Sequence, residues 1–424
     1  MGWNRWYAIK SYGLSTIWIT PLFAFILEQI TFRFFYVFQI DFGWIPGFSA
    51  DKAGTVAGMD YVVTLTITCI VFTFGSLLVA IQFAGGQLTP RIIATTLLRD
   101  RTIRWIVALF TYTLLLAVAV KSRVDTIPHF LASLAGLLGL ASVVAILFLI
   151  DYAARLLRPV AIVWRVGEEG RKVIDHVYPT LVTGAEQPPP TRERLSLPEK
   201  TILHRGTSAI VIAVNLKALA SLASKADCVV EFAPRVGDFV AVEEPLFYLR
   251  GNVDRINERH LRAQIAFGPE RTIEQDSTFA FRVIVDIAIK ALSKAINDPT
   301  TAVLAIDQLQ RLLRAVGRRH LHDEDIRDDK GRLRLVYRTP NWEDFVHLTF
   351  SEIRLYGAEN FQVARRLRAM IEALFQSLPE SRLPALRREL DLLDRALEKL
   401  YPFPEDLALA RTPDLQGLGG ASTS

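Results

Sequence analysis

Residues 127–150 read IPHFLASLAGLLGLASVVAILFLI, 24 consecutive positions without an Asp, Glu, Lys or Arg. The hydrocarbon core of a bilayer, about 30 Å thick, takes roughly 20 apolar residues as a helix. This run is long enough to cross. Working outward, three further apolar runs lie at 14–37, 61–83 and 103–120, interrupted only by Glu28, Arg33 and Arg104, and Lys10, Asp60, Lys121 and Asp151 stand at the margins of the set. The third run is the shortest, and it spans if Arg104 and Lys121 extend toward opposite headgroup layers. Everything after about residue 158 is charged and water-compatible. The expected fold is therefore a membrane α-helical domain of four transmembrane helices, followed by a cytosolic α+β region with a small β-rich module and a C-terminal helical bundle.

Basic residues set the expected orientation. Arg5 and Lys10 precede the first run, Arg91, Arg99, Arg101 and Arg104 lie between the second and third, and Arg155, Arg158, Arg165, Arg171 and Lys172 follow the fourth. The two alternate loops are poorer in Lys and Arg, so the positive-inside rule places both termini in the cytoplasm. On this reading the net charge of +5 reflects topology and lipid contact, not nucleic-acid binding. Cys69 falls in an apolar run and Cys228 in the charged half, so no disulfide is expected. The first run is too long for a cleavable signal peptide and lacks a small-residue cleavage site.

Glu28 stands out within the spans. A carboxylate inside hydrocarbon costs about 2.5–3.5 kcal/mol on insertion scales and usually faces a partner or a wet cavity. It is read either as a proton or cation site or as a residue neutralised by protonation or by Arg33 of a neighbouring subunit. Thr64, Thr66, Thr68, Thr73 and Ser76 in the second run are expected to bond back to helix carbonyls, with a wet path as the alternative. Ser133, Ala135, Gly136, Gly139 and Ser142 make the fourth run the expected face for close helix packing.

Beyond the spans, the expected boundaries are a membrane-proximal helix and Pro-rich linker over 159–200, a β-rich module over 201–252, a helical domain over 253–411 and a disordered tail over 412–424. Strands are expected at 209–214, 228–232, 239–242 and 245–249, with Asn215 capping a helix toward Lys225 and a turn at Val236-Gly237-Asp238. The densest block of unusual residues runs from Glu270 to Asp298. Arg282, Asp286 and Lys290 form one charged stripe on an apolar helix over 278–296, and Asp298 caps the next helix with Pro299 at its first position. Glu274, Asp276, Asp286 and Asp298 are read either as one cation or ligand pocket or as caps and ion pairs. His320, His322, Asp323, Glu324 and Asp325 read as a solvated loop rather than a metal site, so no metal and no cofactor are expected. Asn341 and Asp344 form a capping pair, and the leucines 383, 386, 390, 393, 397 and 400 form a bundle seam.

Several blocks resemble a bacterial family of predicted membrane proteins, domain of unknown function 2254: Phe83-Ala84-Gly85-Gly86-Gln87-Leu88-Thr89-Pro90-Arg91, Arg99-Asp100-Arg101, Arg271-Thr272-Ile273-Glu274-Gln275-Asp276, and the block from Ala291 through Asn297-Asp298-Pro299 to Ala302. The resemblance covers nearly the whole chain and implies a multispanning protein of a bacterial plasma membrane, but no mechanism. Ligand or ion candidates are Glu28, Arg91, Arg271, Glu274, Asp276, Asp286, Asn297 and Asp298. There is no phosphate-binding glycine loop, no metal pair at helical spacing and no flagged nucleophile, so an enzyme is the weakest reading. The first expectation is an oligomeric channel- or transporter-like assembly regulated by its cytosolic half. The second is a membrane-anchored sensor or scaffold binding a ligand or partner protein. The expected partners are the lipid bilayer and further copies of the chain.

Overall fold

The computed structural model describes residues 2–7, 18–38, 40–43, 51–87, 100–124, 129–156, 158–182, 196–321 and 325–419. Arg91, Arg99, His322, Asp323, Glu324 and the Pro188–Pro190 run lie outside the described residues. The chain forms two compact units. Ser11–Ile162 is one; Met1–Lys10 joins Val163–Ser424 to make the other.

The first unit holds helices α1 (Ile19–Phe38), α2 (Lys52–Gln87), α3 (Arg101–Ser122) and α4 (His129–Leu156). Among the described residues these four are long and apolar enough to cross a membrane. Helix α3 is central and packs against the other three. Large apolar side chains such as Phe23, Ile30, Val71, Phe72, Val144 and Leu147 point outward, as lipid-facing residues do. Helix α2 starts nine residues before its expected boundary because Asp51 caps it, accepting from Gly54 N at 2.7 Å. Asp60 is thereby inside the helix, where it pairs with Lys121 at the end of α3. A helix does not stop where the hydrocarbon does.

Several polar groups in this unit are answered locally, though the Thr73 hydroxyl, expected to bond back, is buried without a partner. Thr66, Thr68 and Ser76 bond back to Val62 O, Thr64 O and Thr73 O. Asp41 accepts from His129 N at 3.0 Å and Phe130 N at 3.1 Å, capping α4. Gly139 lets α4 approach α2 so closely that a Cβ there would stand 2.9 Å from Val62. The small-residue face of the fourth run thus packs inside the chain.

Helix α5 (Pro159–Val177) follows α4, and from Val163 onward it belongs to the second unit. Its Val163–Val177 portion lies on the helical pair α8 (Ser277–Ala291) and α9 (Pro299–Gly317). A Cβ on Gly170 would stand 2.6 Å from that of Ala280, Arg311 pairs with Glu168 at 2.9 Å, and the same guanidinium sits 4.5 Å over the Trp164 ring.

The same unit contains two sheets. One has the order β1 (Lys200–Leu203), β5 (Pro245–Gly251), β3 (Cys228–Phe232), β8 (Leu333–Val336), β7 (Asp325–Arg327); the other has β4 (Phe239–Val240), β2 (Ala209–Val214), β6 (Ile265–Gly268). Helices α6 (Leu216–Ala226) and α7 (Glu258–Arg262) complete this region, α6 capped by Asn215 as expected. The β-structure is not contained in 201–252. β7 and β8 come from residues expected to belong to the helical domain, and β8 pairs with β3 in parallel. Their sequences hide them because Arg327 and Arg334 interrupt the apolar alternation. Arg334, 4% exposed, is held by Asp227 at 2.7 Å and Asp328 at 2.9 Å, and so becomes a strand residue.

Helices α10 (Trp342–Gly357), α11 (Phe361–Ser377), α12 (Leu383–Leu400) and α13 (Pro404–Ala410) close the unit. The Asn341–Asp344 capping box is present. The leucine seam is used within the chain: Leu386, Leu393 and Leu397 are buried as α12 packs on α10 and α11. The tail expected to be disordered from residue 412 is instead built into the fold as far as Gly419. Asp414 is buried and accepts from Gly417 N and Gly419 N, while the fully buried Arg365 donates to Thr412 O at 2.9 Å and Gly419 O at 3.1 Å. A buried guanidinium needs acceptors, and these carbonyls supply them.

Gly170→Val overpacks the contact with Ala280 and should lower stability by about 1–3 kcal/mol. Gly75→Ala in α2, where a Cβ meets nothing within 4 Å, should be neutral or stabilising by up to about 1 kcal/mol. Denaturation of the two variants in the same detergent checks both.

Candidate functional site

Helix α8 is apolar, with Phe279, Ala280, Phe281, Val283, Ile284, Val285 and Ile287 all buried. Its first turn must be capped in a place that water scarcely reaches. Asp276 does this, accepting from Phe279 N at 3.1 Å through Oδ1, which Thr278 Oγ1 also approaches at 2.5 Å. The second oxygen, Oδ2, is buried and accepts no hydrogen bond. It rests against Gly237, where an added Cβ would stand 2.4 Å away. Gly237 has φ of +94°, so glycine is required there by conformation as well as by space. Arg271 closes the arrangement, donating from Nε to Gly237 O at 2.8 Å and lying 3.9 Å from Asp276 Oδ2. Gln275 accepts from Val214 N at 3.0 Å, stapling the turn to β2.

Two tyrosines from distant parts of the chain end at this turn. Tyr7 belongs to a helical turn over residues 3–7, stacks on Trp3 at 5.2 Å and packs on Ile212, Ala213 and Ala266. Asn4 N donates to Ala263 O at 3.1 Å, and the Tyr7 hydroxyl donates to Glu274. Tyr178 directly follows α5 and hydrogen-bonds Ser277, the first residue of α8. Arg271–Ser277 is therefore the place where the segment before α1 and the segment after α4 and α5 are both fastened.

Electrostatics follow the burial. Desolvation pushes the Asp276 carboxyl above the ordinary carboxylate range, while the Thr278 hydrogen bond and the Arg271 guanidinium pull the other way. Desolvation pushes the Tyr178 phenol up to about 12, against its hydrogen bond with Ser277.

The sequence-derived candidates fall into separate places. Arg271, Glu274 and Asp276 come together. Asp286 lies along α8 in an ion pair with Arg282, which also reaches Glu352 at 2.9 Å. Asn297 and Asp298 are at the far end of α8, about 22 Å from Asp276 by the rise of a 15-residue helix. There Asn297 adopts φ of +49°, a conformation asparagine tolerates, Asp298 N donates to Ala291 O at 2.8 Å, and Asp298 caps α9 through Thr301 N at 3.1 Å. The four acids do not form one pocket: Glu274 and Asp276 share the turn before α8, Asp286 lies along that helix, and Asp298 lies beyond its end. Asp100 of the Arg99-Asp100-Arg101 block caps α3 and accepts from Tyr152 OH at 2.8 Å, joining α3 to α4. Among the described residues no group of His, Cys, Asp and Glu is arranged to hold a metal. Tyr7, Tyr178 and Gly237 escaped the sequence reading as site residues: Gly237 carried a turn signal, but neither tyrosine sits at a spacing that marks it.

Four apolar helices joined to a mixed α/β unit define a membrane protein. The family described as predicted membrane protein (DUF2254) matches the chain over residues 14–373, and the chain belongs to that family. Uncharacterized proteins of Mycobacterium bovis and Mycobacterium tuberculosis are each 26% identical over 430 aligned residues, covering 96% of this chain and 81% of the relative. No solved structure matches it.

The sign of the Asp276 shift makes a test. The folded protein keeps the Asp276 proton over a pH window in which the unfolded chain has released it. Stability therefore falls as pH rises from the ordinary carboxylate pKa to the raised one, and the full cost of the buried charge persists above it. Asp276→Asn keeps a capping oxygen and cannot ionise. Its melting temperature plotted against pH in detergent should lack this acid-side decline, and a profile parallel to wild type contradicts the assignment. Gly237→Ala should cost roughly 1–3 kcal/mol through backbone strain and the clash with Asp276.

Proposed function

We propose that the chain is a non-enzymatic, oligomeric membrane assembly of channel or transporter type, set in a bacterial inner membrane, whose state is controlled by its cytosolic unit. The carrying observation is the convergence of Tyr7 and Tyr178 on the Arg271–Ser277 turn. A shift of this turn, through ligand binding or protonation of Asp276, bears on the segments leading into α1 and out of α4 together. Orientation with both termini in the cytoplasm is supported by the basic loops. It is supported as well by residues 2–7 packing within the unit that holds the C-terminal half, as four crossings require. Four helices are a thin wall for a path, so several copies would surround one.

A membrane-anchored sensor is the second reading, favoured by the buried Asp276 Oδ2 in the α/β unit, which accepts no hydrogen bond. In it the spans only hold the protein in place.

Purified protein in planar bilayers and proteoliposomes tests the first reading. Wild type should carry current or solute flux. Tyr7→Phe, which removes one hydrogen bond of about 1 kcal/mol net, should change the open fraction several-fold. Wild type silent under every ionic and tension condition overturns the first reading. Ligand-dependent thermal stabilisation of that silent protein then supports the second.

A further inference from the structure

Helix α1 turns a narrow stripe inward. Ala24, Glu28 and Phe32, four residues apart, are its buried side chains, while Leu22, Phe23, Phe25, Ile26, Leu27 and Ile30 face outward. Glu28 is fully buried on the helix-packing side and does not face lipid. Its Oε2 accepts from Gln29 Nε2 at 2.7 Å, and its Oε1 is buried without a hydrogen-bond partner.

No cation of the described chain answers this carboxyl. Helix α3 packs on α1 and brings Tyr112 into electrostatic reach of Glu28, with the phenol hydrogen-bonded to Thr31. Arg104 and Lys121 on that helix stand eight and nine residues from Tyr112, about 12–14 Å along the axis. Arg123, just past its end, lies over the Phe32 and Tyr36 rings at 5.3 and 5.4 Å, one and two turns along α1 from Glu28. Lys121 is also paired with Asp60 of α2. Tyr61 of α2 is exposed, and His129 of α4 is bound to Asp41. Arg33 lies five residues beyond Glu28, turned about 140° around α1, and is exposed.

An unpaired carboxylate in such surroundings costs several kcal/mol, whereas the protonated acid is neutral and offers a donor. We propose that Glu28 is a proton-binding site of the apolar unit, its ligand a proton and not a metal cation. The assignment stands on the apolar unit alone and does not depend on the Arg271–Ser277 turn.

Dicyclohexylcarbodiimide, which partitions into apolar sites, tests it on the full-length protein in liposomes. The acid gives its proton to one carbodiimide nitrogen while the carboxylate oxygen bonds to the central carbon. The acyl group then shifts to nitrogen, leaving a stable N-acylurea with no atom lost. Peptide mapping should place the adduct on Glu28, with a yield that falls as pH rises. Glu28→Gln, a neutral mimic of the protonated acid, should abolish the adduct and leave the melting temperature unchanged or raised. Three results overturn the proposal. They are absence of the adduct from mildly acidic to alkaline pH, protection by sodium or potassium ions at constant pH, and an adduct that appears only in Arg33→Gln, which would mean an ion pair between copies. Any of these with channel or flux activity intact refutes the proton site and leaves the proposed function standing. The adduct in a protein silent in bilayers does the reverse.

Discussion

Capping an apolar helix where water is scarce is the constraint on which the α/β unit depends. Helix α8 must have its first amide groups satisfied, and a carboxylate is the strongest small acceptor available. Only one of its oxygens can serve the helix, so the other is left among carbon atoms. Gly237 admits it by having no side chain, Arg271 moderates its charge, and Gln275 fixes the turn to β2. An arrangement specified from so many sides changes only when one of those contacts changes. Tyr7 and Tyr178 meet it at adjacent points, and their strands of chain lead toward the apolar helices.

The apolar unit follows a different economy. Between helices in lipid there is no hydrophobic gain to draw on, so contact depends on close approach and on polar groups being answered at home. Gly139 against Val62 supplies the first. Back-bonded hydroxyls, the Asp41 cap and the Asp60–Lys121 pair supply the second. Thr73, Thr113 and Glu28 keep buried oxygens without a partner, and of these only Glu28 is ionisable, which at this depth marks chemistry more often than packing.

Much of this was legible because it is local. Apolar run length fixed the four spans, Asn215, Asp298 and the Asn341–Asp344 pair announced their helices, and β-branched runs announced β2 and β3. What required three dimensions was missed. The pairing of β8 with β3 depends on Arg334 meeting Asp227, over a hundred residues away. The candidate acids looked like one group because they are close in sequence, yet a helix that keeps them near in number sets Asp276 and Asp298 far apart in space. The tyrosines of the turn carry no periodicity, so nothing in the one-dimensional record ties Tyr7 to Glu274. The tail misled in the opposite way: glycines that suggest looseness are there because Gly417 and Gly419 take positive φ around Asp414.

That last feature has a bearing on how the protein is made. The guanidinium at the heart of helix Phe361–Ser377 finds one of its acceptors 54 positions later, at Gly419. While the ribosome is still adding those residues, Arg365 has no such carbonyl to donate to, and the helices around it cannot close over a charge left bare. Final packing of this end of the molecule is thereby deferred until synthesis has passed Gly419, long after the apolar segments have emerged for insertion.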